Sequence, residues 1–163
     1  MHPRAVVNAG PLVALSLTGR LDLLPALFRE IWVPRAVYRE VAIDGLGRAG
    51  AAALNDEAWR ARVADAPDPD PLLISELDRG EAEVIALAIV SRPCLAVIDE
   101  KRGRRIAAGV YGLPVKGTAG LFVEAHRRGL LPDLRATLLG LKRDGYFLAD
   151  RVIEAACKAA GSA

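Results

Sequence analysis

Two short stretches of the chain are apolar without a break and then end at a polar residue. Ala5-Val6-Val7 ends at Asn8, and Cys94-Leu95-Ala96-Val97-Ile98 ends at Asp99. Neither alternates apolar with polar residues, so neither has a face suited to water. Each reads as a strand buried on both sides, the pattern of a parallel sheet. A helical pattern follows each one, with Gly10-Pro11 after the first and Glu100-Lys101 after the second. Parallel neighbours need helical crossovers, and the crossovers cover both faces of the sheet. The expected architecture is therefore α/β, with three α/β/α layers around a central parallel sheet of about four to five strands. In such sheets ligands sit beyond the C-terminal ends of the strands. Asn8, Asp99 and the residues after Val115 should share that edge.

The remaining elements fall between these anchors. Pro11–Leu17 reads as a short helix ended by Gly19, and Leu21–Phe28 as a second around Pro25. Ile31–Val33 is a β-type run stopped by Pro34, and Arg35–Ile43 is helical. Asp44–Gly50 carries three glycines and reads as a loop. Because no strand precedes its GLGRAG stretch, a nucleotide-binding glycine loop is disfavoured. Ala51–Arg62 reads as one helix. Pro67–Pro71 alternates proline with aspartate, which excludes regular structure. Leu72–Leu77 and the apolar Glu81–Val90 are helices, the latter central. Lys101–Tyr111 is a basic helix, Leu113–Val115 an edge strand because of Pro114, and Ala119–Arg128 a helix with Thr118 as its N-cap. Leu134–Arg143 and Asp150–Ala160 complete the chain.

Composition bounds the class. The chain has 163 residues, 52% hydrophobic and 26% charged, which suits one folded domain over residues 1–163 with C-terminal helices over about 132–161 packed on it. No apolar run is long enough to span a bilayer, and the start MHPRAVVNAG lacks a signal-peptide core. The expected location is the cytoplasm, with no membrane partner. The two cysteines, Cys94 and Cys157, lie in apolar settings and read as buried thiols. A net charge of +2 identifies no polyanionic partner, yet Lys101-Arg102-Gly103-Arg104-Arg105 sets four cations in five residues directly after Asp99. Such a run is usually a solvated helix face; beside a site it becomes a phosphate contact.

Several acids are candidates for one pocket. Hard divalent cations take oxygen ligands, and phosphodiester hydrolysis uses them to neutralise phosphate and to acidify a water. Glu40, Glu81, Glu83, Asp99 and Glu100 are the candidates, with Asn8 beside them at the strand edge. Each also has a structural reading. Taken alone, Glu40 reads better as an exposed helical acid, and Glu81, three residues after Asp78, as part of a helix cap. Glu83 is turned away from Glu81 on the helix, so only one of the two should point inward. Asp99 is able to cap the basic helix, and Glu100 to pair with Arg104 one turn on.

The same residues carry a resemblance. The segments VVNAGPLVALSLTGRLDLLPALF, VPRAVYREV, LDRGEAEVIALA, VIDEKRGRRIAAGVYGLPVKGTAGLFVEAHRRGLLP and LKRDGYFLADRVIEAA resemble, in order and spacing, PIN-domain proteins of the DUF3368 branch. The blocks RGEAEVIALA and IDEKRGRRIA are the most specific. The resemblance implies a metal-dependent endoribonuclease fold, common among the toxins of toxin–antitoxin pairs, using Mg²⁺ or Mn²⁺. It implies an acidic site on Asn8, Glu40, Glu81 and Asp99, with Glu100 as alternative or supplement to Asp99. Thr118 matches a Gly-Thr motif, and Gly10 stands where the family often has Ser or Thr. RNA would be held by Lys101, Arg102, Arg104 and Arg105. An antitoxin partner is implied by analogy, and a homodimer through Leu12–Leu17 and Leu23–Phe28, although the same helices read equally as core. Asn8 replaces the first aspartate: an amide ligates a metal without bringing charge. Two functions stay open, a metal-dependent ribonuclease and a catalytically weak or silent protein of the same fold that binds RNA or a protein partner.

Overall fold

The computed structural model describes residues 3–161. Its sheet has five strands, all parallel, in the order β3-β2-β1-β4-β5, and helices cover both faces to give three layers. The uninterrupted apolar runs occupy the middle, as their burial demands. Strand β1 (Arg4–Val7) lies between β2 (Glu30–Pro34) and β4 (Cys94–Val97), with Val7 opposite Val97. Strand β5 (Val115–Lys116), directly after Pro114, forms one edge, where a proline is tolerated. The other edge, β3 (Val63–Ala64), was not expected: a two-residue strand has no period to read.

The chain grows outward from β1 in one direction and, from β4, in the other. The crevice between the C-terminal ends of β1 and β4 is thus the switch point at which open α/β sheets bind ligands. Asn8 continues β1 into this crevice, its N–H donating to the Val97 carbonyl at 3.0 Å. It is the N-cap of α1 (Ala9–Leu17) by backbone angle, without a side-chain capping bond, and Pro11 falls within the first turn, where its missing N–H costs nothing. Helix α2 follows (Leu23–Leu27).

After β2 the chain forms one turn of α-helix, α3 (Arg35–Tyr38), and then widens into a π-turn over Arg39–Ile43 that carries Glu40. The expected single helix over Ala51–Arg62 is two, α4 (Ala51–Leu54) and α5 (Glu57–Arg60). The break is chemical. Asp56 caps the second by accepting from the Ala58 N–H at 2.8 Å, while the Asn55 amide donates back to the Ala42 and Ala51 carbonyls. Helix α6 (Pro71–Glu76) leads to α7 (Arg79–Val90), which lies against β1, β2 and β4 and is buried from Gly80 to Ala88.

The basic helix α8 (Lys101–Gly109) follows β4, and α9 (Thr118–Arg127) follows β5. Helices α10 (Leu134–Arg143) and α11 (Asp150–Ala160) coincide with the expected ranges and pack on α9. Leu12, Leu15, Leu23, Leu24 and Leu27 lie in the chain's own core. Cys94 and Cys157 are buried free thiols, and burial pushes Cys94 up to about 11. Among the described residues no helix is long and apolar enough to cross a membrane.

Candidate functional site

Helix α7 begins with a cap, and the cap aims its acids. Asp78 accepts from the Glu81 N–H at 2.8 Å, which fixes Glu81 at the third helical position. The Glu81 side chain leans back toward the Asp78 backbone, as in a capping box. It is only 7% exposed, and its Oε1 has no hydrogen-bond partner among the described residues. Burial first, and the charges of Asp78, Glu100 and Glu40 after it, push its carboxyl up to about 7, against one opposing hydrogen bond from the backbone. Glu40, on the π-turn, is raised by burial and then by Asp78 and Asp44. Gly80 marks where these groups converge: a Cβ there would lie 3.2 Å from Glu40 Oε2 and 3.5 Å from Asp78 Oδ1. Four acids from three segments, Glu40, Asp78, Glu81 and Glu100, therefore share one electrostatic neighbourhood.

Glu83 corrects the expectation that only one acid of the pair points inward. Both are 7% exposed, because α7 is enclosed on all sides. The two face different neighbours. Glu83 accepts from the Ala36 N–H at 3.0 Å and from Arg79 Nε at 2.8 Å, so its charge is satisfied and serves to seat α3.

Asp99 stands apart from this group. Its Oδ1 accepts from the Thr118 N–H at 2.7 Å, and its Oδ2 accepts from the Thr118 hydroxyl at 2.6 Å and from the Tyr146 hydroxyl. Asp99 thus caps α9 from across the sheet edge, not the basic helix α8 that follows it. Thr118 is not the N-cap but the first helical residue, after Gly117. Glycine at 117 is required by this approach, since a Cβ would come 2.9 Å from Asp99 Oδ1 and 3.0 Å from Arg104 Nη1. Burial, with the negative charge of Asp99, holds the Tyr146 hydroxyl well above the ordinary tyrosine range, so it remains a donor. Tyr146 went unnoticed in the sequence because nothing local marks a tyrosine 47 residues from its partner.

Glu100 is the N-cap of α8 by backbone angle and makes no capping bond; no ion pair joins it to Arg104 among the described residues. Lys101, Arg102, Arg104 and Arg105 are exposed, with Arg102 paired to Glu76, while Gly103 is buried against Glu81. A Cβ on Gly103 would lie 2.9 Å from Glu81 Oε1 and 3.1 Å from Ile98 Cγ2. Gly103→Ala should therefore displace the carboxylate and cost about 1–3 kcal/mol of stability, measurable by urea denaturation. Beyond Glu40 and Asp78 opens a cleft of about 680 Å³ lined also by Arg35, Arg39, Gly80 and Glu83; it does not reach Asn8 or Asp99.

Among the described residues no three His, Cys, Asp or Glu side chains are drawn together tightly enough to form a metal site as they stand. The donor chemistry nonetheless fits a hard divalent cation: carboxylates with like charges for neighbours, one carrying an orphaned buried oxygen. Asn8, 7% exposed, is the neutral member at the crevice. No solved structure matches the chain. The model of the DUF3368 family, described as a PIN domain, matches residues 4–162, and the chain belongs to that family.

Proposed function

We propose that the protein is a metal-dependent endoribonuclease whose acid group is centred on Glu81. The observation that supports this reading is the buried Glu81 carboxyl, whose Oε1 has no hydrogen-bond partner among the described residues and which burial, and then the surrounding acids, push up to about 7. Such a group costs stability in the free protein, and a cation relieves it. Glu81, Glu40 and Glu100 would hold Mg²⁺ or Mn²⁺, with Asn8 as a neutral ligand or water-orienting group. Asp99 would act from its fixed place beside Thr118, at the margin of this group. When bound, such an ion supplies positive charge against the phosphate and an acidified water.

The residues of the chain do the rest. The Asn8 amide oxygen accepts a hydrogen bond and orients a water without taking its proton. Glu81, pushed up to about 7 in the metal-free protein, gives up its proton when it takes a cation, so binding should strengthen as pH rises through that value. Lys101, Arg104 and Arg105, exposed and without ion pairs among the described residues, stand directly after Asp99 and Glu100 in the chain and bind phosphates of a single strand. Replacing these three by serine should flatten the salt dependence of RNA binding by roughly 0.7 per lost phosphate contact in a log–log plot. The direct test is cleavage of an unstructured RNA oligonucleotide with Mn²⁺. Cleavage should be lost in Glu81→Gln, in Asp99→Ala and with a chelator; cleavage that survives all three sinks the reading.

A second reading is favoured by one specific observation, an amide at the C-terminal end of β1, the position at which the resemblance implies an aspartate. In it the protein binds RNA or a protein partner and does not cut. With the first reading we also propose an antitoxin partner, a homodimer and a cytoplasmic location. Asn8→Asp separates the two functions.

A further inference from the structure

The α10–α11 connection lies far along the chain from the acids, yet it enters their neighbourhood. Gly145 turns the chain in the left-handed region at φ +94°, the Tyr146 N–H donates to the Leu141 carbonyl at 3.2 Å, and the side chains of Tyr146 and Leu148 pack on the core. Phe147 between them is 92% exposed, so the inward course of Tyr146 is not a general property of the segment. The Tyr146 hydroxyl donates to Asp99 Oδ2, the oxygen that also accepts from the Thr118 hydroxyl.

Helix α1 leaves a space at the same point. A Cβ on Gly10 would lie 3.1 Å from the Tyr146 hydroxyl oxygen and 3.5 Å from Asp99 Oδ2. A side-chain hydroxyl at position 10, one bond farther out, would compete for the place that the tyrosine hydroxyl takes. Glycine at 10 and tyrosine at 146 are sterically complementary. Thr118 supplies both of its donors from a single residue at the start of α9, and Tyr146 supplies the donor that borders α1. Together they leave Asp99 one orientation.

We propose that Tyr146 is a positioning residue of the site: its hydroxyl takes the place of the side chain absent at Gly10 and fixes the Asp99 carboxylate, which makes the α10–α11 connection part of the working site. The kinetic consequence rests on the nuclease reading; the pairing itself does not. Removing a group that orients a site residue typically costs roughly 10–100-fold in activity.

The experiment compares wild type, Tyr146→Phe, Gly10→Ser and the double variant for cleavage of an unstructured RNA oligonucleotide with Mn²⁺, each checked for folding by circular dichroism. Tyr146→Phe should lower kcat about 10–100-fold with KM unchanged. Gly10→Ser alone should also be slower, because its Cβ presses on the tyrosine hydroxyl. The double variant should be faster than either single variant, since the serine hydroxyl then reaches Asp99 in the vacated place. A folded double variant no faster than Tyr146→Phe overturns the proposal. In parallel, urea midpoints of Tyr146→Phe, Asp99→Ala and their combination report the pairing without catalysis. The tyrosine substitution should shift the midpoint in the wild-type background and not in the Asp99→Ala background; equal shifts in both overturn the proposal. If the wild type does not cleave RNA, the nuclease reading fails, and the urea comparison alone decides the role of Tyr146.

Discussion

At pH 8 and in the presence of a chelator, Glu81→Gln melts at a higher temperature than the wild type, and the gap closes as the pH falls toward 4.5. The sign follows from the direction of the shift. The Glu81 carboxyl is raised from its ordinary 4.5 to about 7 in the folded protein. Between those values the folded chain binds more protons than the unfolded chain, so wild-type stability falls as pH rises through that window. Below pH 4.5 Glu81 is protonated in both states and the loss is absent; above about 7 the loss is complete. The full shift is worth roughly 3 kcal/mol, and water around the exposed partner acids reduces it to about 1–2 kcal/mol. For a chain of this length that is a gain of about 2–8 °C for the glutamine variant at pH 8.

Adding Mn²⁺ reverses the order. A ligand that binds only the folded state stabilises by about 2.7 kcal/mol at a hundred times its Kd. The wild type should gain and Glu81→Gln should not. Equal metal-induced shifts in the two proteins would remove Glu81 from the binding group. A glutamine variant less stable than wild type at pH 8 would mean that the buried carboxylate is satisfied by contacts other than those described.

The second large effect is at Asn8. Asn8→Asp puts a carboxylate on a side chain that is 7% exposed, at the crevice between the C-terminal ends of β1 and β4. Without metal the variant should lose about 1–3 kcal/mol, because a buried charge gains no partner there. With Mn²⁺ the balance turns, and affinity by calorimetry should rise at least about 10–100-fold, since an added anion among the ligands outweighs the outer-sphere changes that already have effects of that size. RNA cleavage that appears only in Asn8→Asp identifies the natural protein as a binder. Cleavage by the wild type that Asn8→Asp leaves unchanged removes the silent reading and makes the amide a sufficient ligand.

The central strands were legible because burial on both faces leaves an unbroken apolar run, and a polar residue then marks where the strand ends. That logic located Asn8 and Asp99 at one edge before any geometry was known. It failed where the deciding partner is distant in the chain. The break at Asn55-Asp56 depends on a bond from Asn55 to Ala42 as well as on the Asp56 cap. Glu83 reads as outward by helical rotation from Glu81 and is inward because α7 has no outward side. Asp78 is visible as a cap, but its second role, adding negative charge beside Glu81, shows only when Glu40 and Gly80 are brought to it. The cap that Asp99 offers reads as one on α8 and is found on α9, because its donors, Thr118 and Tyr146, come from elements that the local sequence does not connect to it.

Helix α7 is closed in from Gly80 to Ala88. Backbone amides in such a segment exchange with solvent only when most of the molecule opens, so α7 should be among the slowest regions in deuterium uptake. Of the acids that repel one another, Glu81 alone sits within this enclosed stretch, while Glu40, Asp78 and Glu100 are exposed around it. An arriving cation therefore finds Glu81 already held by buried neighbours, with little of its attraction diverted into ordering that residue.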